Sequence, residues 1–125
     1  MRNSSKVVVV DDDASVREAL RALLRSAGFR VELFASPEEL LRSGPLRETA
    51  CLVLDVRMSG MSGVELQDQL IASGSSVPIV FMTAHAEASV RTRALAAGAV
   101  DFLQKPFSDD ALLEAIDRAI GLARP

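Results

Sequence analysis

Hydrophobic residues follow two patterns along the chain, and these patterns alternate. Short continuous runs are typical of parallel strands buried on both faces, whereas longer segments with apolar residues three or four apart are typical of helices with one buried face. The alternation repeats five times with short connections and without an internal repeat. It predicts strands over 6–10, 29–34, 51–55, 77–82 and 101–104, each followed by a helix.

The third strand is the most strongly hydrophobic and ends in an acid. Cys51 and Val53 are expected on one face of the sheet, and Leu52 and Leu54 on the other. A carboxylate is disfavoured inside such a strand unless it is paired. At the carboxyl end of a central parallel strand, however, it emerges where open α/β sheets hold their ligand sites. We therefore predict that Asp55 is the reactive centre.

Capping residues indicate where the helices begin and end. Asp13, interpreted as a cap rather than a metal ligand, precedes a helix with an apolar face over 16–27. Ser36 with Pro37 opens a second helix, and Ser62 with Glu65 forms a capping box that opens a third. The fourth helix is expected over 87–97, and Ser108 caps the fifth, whose inward residues are Leu112, Ile116, Ala119 and Ile120. The first four are predicted to end near Gly28, Ser43-Gly44-Pro45, Ser73 and Gly98.

Right-handed crossovers with helices on both faces predict a doubly wound, flavodoxin-like α/β fold with five helices and strand order 2-1-3-4-5. In that order the first strand lies beside the third. Because neighbouring strands are about 4.8 Å apart, Asp11 and Asp12 should emerge next to Asp55. Thr83 is expected on its other side, and Lys105 one strand further, about 10 Å away at the backbone.

Composition indicates one domain spanning 1–125 and excludes several function classes. The chain has 125 residues, of which 49% are hydrophobic, enough for one core. A net charge of −3 argues against a surface that grips the phosphates of nucleic acid. The single cysteine, Cys51, cannot form an internal disulfide, and the early apolar run 7–10 is too short for a signal or membrane segment. We therefore expect a soluble, cytoplasmic protein that contacts neither membrane nor nucleic acid directly.

The predicted cluster of acids favours a cation. Carboxylates about 4 to 5 Å apart repel by roughly 3 to 4 kcal/mol per pair at an effective dielectric constant near 20. Such repulsion favours a bound cation or raised pKa values. Hard oxygen ligands open to solvent favour Mg²⁺, which completes its shell with water and phosphate oxygens. Asp55 could then attack phosphorus, while Lys105 and the Thr83 hydroxyl contact the transferred group.

Five motifs in order give the whole chain a resemblance to a known family. Each motif alone is weak, but all five at predicted strand ends are specific. The chain resembles the receiver domains of bacterial two-component response regulators, and in detail the FixJ type that precedes a LuxR-like DNA-binding domain. The motifs are Val10-Asp11-Asp12-Asp13, Leu54-Asp55-Val56-Arg57-Met58 with Met61-Ser62-Gly63, Met82-Thr83-Ala84-His85, Ala97-Gly98-Ala99-Val100-Asp101-Phe102, and Lys105-Pro106-Phe107.

The resemblance implies that Asp55 accepts a phosphoryl group from a phosphohistidine of a sensor histidine kinase. It implies a signalling domain that catalyses only its own phosphorylation and dephosphorylation, rather than an enzyme acting on other substrates. Thr83 and Lys105 would contact the phosphoryl oxygens. The Mg²⁺ ligands would be Asp11, Asp12, Asp55 and the backbone carbonyl of Arg57.

The resemblance also implies a conformational switch. Thr83 would be drawn toward the phosphoryl group as the ring of Phe102 turns inward, which would reshape the surface of the fourth helix and fifth strand. That surface would bind partners or a second copy of the chain. It would also control a DNA-binding output domain, which is expected to be absent from this chain. Without the resemblance, Phe102 would be interpreted as a core aromatic. Arg57 and His85 are candidates for tuning hydrolysis, and the bond between Lys105 and Pro106 is expected to be cis.

One departure and two alternatives remain. The family usually has Met-Pro where this chain has Met58-Ser59-Gly60, and we expect a more mobile loop there. A Mg²⁺-dependent phosphohydrolase resembling the haloacid dehalogenase group would carry an acid two residues after its nucleophile, where this chain has Arg57. A degenerate receiver that only binds proteins would have lost acids or the lysine, and none is missing.

Overall fold

The computed structural model describes residues 4–44, 46–85 and 87–122, and of residue 122 only the backbone. Pro45, at the predicted end of the second helix, lies outside these residues. Within them, strands and helices alternate as the hydrophobic pattern predicts. The elements are β1 (Lys6–Val10), α1 (Ala14–Ser26), β2 (Arg30–Phe34), α2 (Pro37–Arg42), β3 (Thr49–Asp55), α3 (Gly63–Ala72), β4 (Ile79–Thr83), α4 (Ala88–Ala96), β5 (Asp101–Gln104) and α5 (Asp109–Leu122).

The five strands form one parallel sheet in the order β2-β1-β3-β4-β5, which confirms the predicted topology. Val10 of β1 pairs with Leu54 of β3, and Leu54 pairs with Phe81 of β4. The register therefore brings the carboxyl ends of β1, β3 and β4 to one edge of the sheet. Asp55 is the last residue of the central strand at that edge.

Residues of β3 alternate between two hydrophobic cores, as the central strand pattern predicts. Cys51 and Val53 pack in the core under α1 and α5, and Leu52 and Leu54 pack in the core under α2, α3 and α4. All four are fully buried. The rigid double packing holds the end of β3, and hence Asp55, in a fixed position.

The predicted caps are confirmed. The side chain of Asp13 accepts a hydrogen bond from the Ser15 amide at 2.9 Å, and the Ser108 hydroxyl accepts one from Ala111 at 3.0 Å. Ser36 caps α2 in the same way. Ser62 and Glu65 form the reciprocal capping box. These local bonds set the points at which the chain leaves the sheet edge and enters α1, α2, α3 and α5.

Element ends and one face differ from the sequence-based expectation. β3 begins at Thr49 rather than residue 51, because Thr49 pairs with Lys6 across a register shift in β1. β4 runs over Ile79–Thr83 rather than 77–82, because its ladder to β3 begins at Ile79 and Thr83 pairs with β5. Ala19 falls within the predicted apolar face 16–27 of α1 but is exposed, because the buried face centres on Leu20 and Leu24.

Candidate functional site

Three acids from two adjacent strands meet at the carboxyl edge of the sheet. Asp11 and Asp12 follow β1, and Asp55 ends β3. One carboxylate oxygen from each lies within 4.8 Å of the others. Asp11 is fully buried, Asp55 is 7% exposed and Asp12 is exposed. The structure thus brings together the three carboxylates that the sequence predicts.

Lys105 reaches into this acidic cluster from the loop after β5. Its Nζ atom lies 3.0 Å from Oδ2 of Asp11 and 3.6 Å from Oδ2 of Asp55. Its backbone amide donates to the carbonyl of Thr83 at 2.7 Å, which ties the loop to the end of β4. The peptide bond to Pro106 is cis, as predicted. The lysine side chain therefore reaches from the end of β5, past β4, to the acids at the ends of β1 and β3.

Burial and neighbouring acids raise the pKa of Asp55 to about 6. Burial disfavours the ionised form most, and the charge of Asp11 adds to this effect. Lys105 and a hydrogen bond from the Arg57 backbone lower the pKa, whereas the charge of Asp12 raises it by the smallest of these effects. One lysine therefore only partly neutralises the cluster, and a divalent cation would complete the neutralisation.

Replacing Asp55 with asparagine is expected to stabilise the metal-free protein at pH 7.5 but not at pH 4. The pKa of Asp55 is 3.8 in the unfolded chain and about 6 in the folded protein, so folding disfavours the ionised carboxylate. The folded protein therefore keeps its full stability below about pH 4 and loses about 2 to 3 kcal/mol of unfolding free energy as the pH rises through 6. Asparagine does not ionise, so the variant avoids this loss. Urea denaturation with a chelator at both pH values measures it.

The control for this prediction is Glu114→Gln, which changes an exposed carboxylate on α5. Its free energy of unfolding should follow that of the wild type at both pH values. An Asp55→Asn protein that is no more stable than the wild type at pH 7.5 would show that the cluster is not electrostatically strained.

The hydroxyl of Thr83 is held by the backbone of His85. It accepts a hydrogen bond from the His85 amide at 3.1 Å and donates to the His85 carbonyl at 3.2 Å. Thr83 is fully buried, whereas His85 is exposed at the rim. The hydroxyl thus lies next to the end of β3 but is engaged in its own turn, and any role toward a phosphoryl group requires it to exchange partners.

Phe102 lies inside the protein. It is 6% exposed, and its ring centroid is 6.0 Å from that of Phe81, its partner in the β4–β5 ladder. The ring is thus buried against β4, and the role of Phe102 in a conformational switch stays a prediction.

The backbone around Asp55 depends on Gly63, which belongs to one of the five motifs but whose packing role the hydrophobic and capping patterns do not indicate. The amide of Gly63, the first residue of α3, donates to the carbonyl of Val56 at 2.9 Å. A Cβ atom at position 63 would overlap the backbone carbonyl oxygen of Asp55 and lie 3.2 Å from a ring carbon of Phe81. Only glycine lets α3 approach the end of β3 this closely.

Other contacts at the rim of the site were also not predicted. Arg57, two residues after Asp55, forms an ion pair with Glu87 at the start of α4. Arg17 donates to the backbone carbonyl of Asp11 at 2.7 Å. Both pairs join residues whose proximity depends on the packing of helices on the sheet, so no local sequence signal could have identified them.

The loop between β3 and α3 is anchored at two points. The amide of Ser59 donates to Oδ2 of Asp12 at 3.3 Å, and the amide of Met61 donates to Oε2 of Glu38 at 3.1 Å. Met58 packs against the core under α2, α3 and α4. The higher mobility expected from the replacement of proline by Ser59-Gly60 stays a prediction.

The donor set fits a hard divalent cation. Three carboxylates offer oxygen atoms within 4.8 Å of one another, and burial with mutual repulsion makes the ionised cluster unfavourable without added positive charge. Mg²⁺ binds such carboxylates and keeps part of its water shell, for which the exposed side of Asp12 leaves room.

Comparisons with known proteins give a consistent result. The family described as response regulator receiver domain matches residues 7–117. The transcriptional regulatory protein FixJ of Bradyrhizobium diazoefficiens is 43% identical over all 125 residues, which cover 61% of that protein. Nodulation protein W of the same organism is 46% identical over 110 residues, or 88% of this chain and 48% of that protein. The chain thus spans about half to three fifths of these relatives.

Solved structures agree with the sequence comparisons. The response regulator StyR superposes with a TM-score of 0.88 at 54% sequence identity, covering 94% of this chain and 59% of StyR.

None of the helices in the described part of the chain combines the length and hydrophobicity needed to span a bilayer.

Proposed function

The chain belongs to the response regulator receiver domain family, and from this we propose that Asp55 accepts a phosphoryl group from the phosphohistidine of a sensor histidine kinase. The observation that carries the proposal is the meeting of three carboxylates with Lys105 at the end of a doubly buried strand. Such a cluster is unfavourable unless it binds positive charge, and positive charge is what a transferring phosphoryl group requires.

Phosphorylation makes one bond and breaks another. An oxygen of Asp55 attacks phosphorus as the phosphorus–nitrogen bond of phosphohistidine breaks, and the electron pair of that bond returns to the imidazole nitrogen. Because the pKa of Asp55 is about 6 without a bound cation, the carboxylate is already largely ionised at neutral pH and is available as a nucleophile. Bound Mg²⁺ would add positive charge against the phosphoryl oxygens, and its ligands would be Asp11, Asp12, Asp55 and the backbone carbonyl of Arg57.

Lys105 and Thr83 receive the new phosphoryl oxygens. The Nζ atom of Lys105 lies between Asp11 and Asp55, so a small shift brings it onto an oxygen of the group carried by Asp55. The Thr83 hydroxyl would redirect its O–H from the His85 carbonyl to another phosphoryl oxygen. This exchange would loosen the turn that leads into α4.

The output of the domain is exerted through other segments or partners. Release of the turn after Thr83, together with the position of Phe102, would alter the surface of α4 and β5, where an output domain or a second copy could bind. FixJ is named a transcriptional regulatory protein and is longer than this chain, which supports transcription control by an attached DNA-binding domain. Within the receiver, catalysis would be limited to its own phosphorylation and dephosphorylation, with Arg57 and His85 at the rim affecting hydrolysis.

Intact mass spectrometry after incubation with acetyl phosphate and Mg²⁺ tests the proposed function. We expect one phosphoryl adduct per chain, lost after Asp55→Asn and after chelation of Mg²⁺. Glu114→Gln, which changes an exposed acid on α5 away from the cluster, is the matched control and should keep the adduct. Steady release of phosphate from phosphate esters without an adduct would indicate a phosphohydrolase instead, and neither adduct nor turnover would indicate a receiver that only binds proteins.

A further inference from the structure

The three acids of the cluster are not held equally. Asp11 is fully buried, accepts a hydrogen bond from the Asp13 amide at 2.9 Å and pairs with Lys105. Asp55 is fixed by its place at the end of β3. Asp12 is exposed, and its Oδ2 atom accepts a hydrogen bond from the backbone amide of Ser59, at 3.3 Å.

We propose that the backbone N–H of Ser59 is a positioning group that orients Asp12 for the divalent cation. The inference rests on the proposed function, since it concerns the same cation. An ionised carboxylate has about four lone-pair positions, so one N–H bond to Oδ2 leaves the others open to the cation. Hydrogen bonds of this kind fix the rotation of a ligand side chain and thereby favour metal binding. A proline at position 59 could not form the bond because proline has no N–H.

Glu38 acts on the same loop from the other side. Its Oε2 atom accepts the amide of Met61, two residues after Ser59, at 3.1 Å. Gly60 between them has a φ of +79°, which favours glycine, and a Cβ atom there would lie only 3.0 Å from Oε2 of Glu38. Glu38 therefore fixes the direction in which the Ser59 amide points, and it is a second positioning residue, which acts through the loop.

Titration calorimetry with Mg²⁺ alone, without a phosphodonor, tests the positioning role. Ser59→Pro removes the N–H and is expected to weaken Mg²⁺ binding about fivefold, the effect of losing one ordinary hydrogen bond. Ser59→Ala keeps the N–H and should bind Mg²⁺ like the wild type. Equal affinities of Ser59→Pro and Ser59→Ala would overturn the inference while leaving the proposed function intact. Failure of the wild type to bind Mg²⁺ would overturn both.

A double-mutant cycle separates the hydrogen bond from the rigidity of the proline ring. Glu38→Ala should weaken Mg²⁺ binding in the wild-type background, whereas Glu38→Gln keeps an acceptor oxygen and should have a smaller effect. In the Ser59→Pro background, Glu38→Ala should cause no further loss, because the amide through which Glu38 acts is gone. Equal losses in both backgrounds would overturn the role of Glu38. If proline itself perturbs the loop, the Glu38→Ala variant with Ser59 intact still tests the inference, because it must lower the affinity for Mg²⁺.

Discussion

Replacing Lys105 with methionine is expected to slow phosphorylation of Asp55 by acetyl phosphate about 100-fold, which is the usual effect of removing one preorganised charge from a transition state. The Nζ atom lies 3.0 Å from Asp11 and 3.6 Å from Asp55, which places this side-chain cation to meet the developing charge. Methionine keeps most of the length of the side chain but not its charge. The rate of adduct formation, followed by intact mass, gives the effect directly.

The chain offers a matched control for this substitution because it contains only one other lysine, Lys6. Lys6 pairs with Glu32 at 2.7 Å, at the opposite end of β1 from the acids, so Lys6→Met should leave the rate unchanged. A second measurement separates loss of catalysis from loss of the site. Without the competing ammonium group, the acids of the Lys105→Met protein should bind Mg²⁺ at least as tightly as in the wild type. Phosphorylation of Lys105→Met at the wild-type rate would remove Lys105 from the mechanism.

Replacing Gly63 with alanine is expected to lower the free energy of unfolding by about 3 kcal/mol, because a methyl group must be accommodated in a closely packed region. The added Cβ atom would overlap the carbonyl oxygen of Asp55 and press on the ring of Phe81. Neither neighbour can move easily, since one is strand backbone and the other a fully buried side chain. Urea denaturation at fixed pH measures the loss of stability.

Gly121→Ala provides the comparison for this prediction. Gly121 lies in α5, and a Cβ atom there would meet open space. Alanine is favoured over glycine within a helix, so this variant should be as stable as the wild type or slightly more stable. If Gly63→Ala proved as stable as Gly121→Ala, the close approach of α3 to Asp55 would not be a structural requirement.

Gly63→Ala should also affect the site. The added methyl group would displace the backbone of Asp55, and the carboxylate of Asp55 would move with it. We therefore expect the folded fraction of Gly63→Ala to form the phosphoryl adduct more slowly. The comparison with Lys105→Met is informative because the two variants perturb the same reaction differently. One removes charge at the site, and the other shifts the backbone of the nucleophile.

The strands could be predicted from local pattern, and the gathering of Asp11, Asp12 and Asp55 followed once the strand order of flavodoxin-like folds was assumed. Alternating runs such as 7–10 and 51–54 specify a parallel sheet, and acids that directly follow two adjacent strands must emerge at the same edge. Element ends were less predictable. Thr49 and Thr83 join their strands only because partners on neighbouring strands are in register with them.

The amino-acid sequence by itself determined the five βα units, their caps and the edge at which the acids and Lys105 lie, because hydrophobic period, capping and strand order depend on neighbouring residues and general packing rules. Only the tertiary structure decided that the Ser59 amide points at Asp12, that Glu38 holds the same loop, and that Gly63 must admit the carbonyl of Asp55. These contacts join residues on different elements and depend on distances of a few tenths of an ångström. Such distances are set when helices settle on the sheet, and no periodicity in the sequence encodes them.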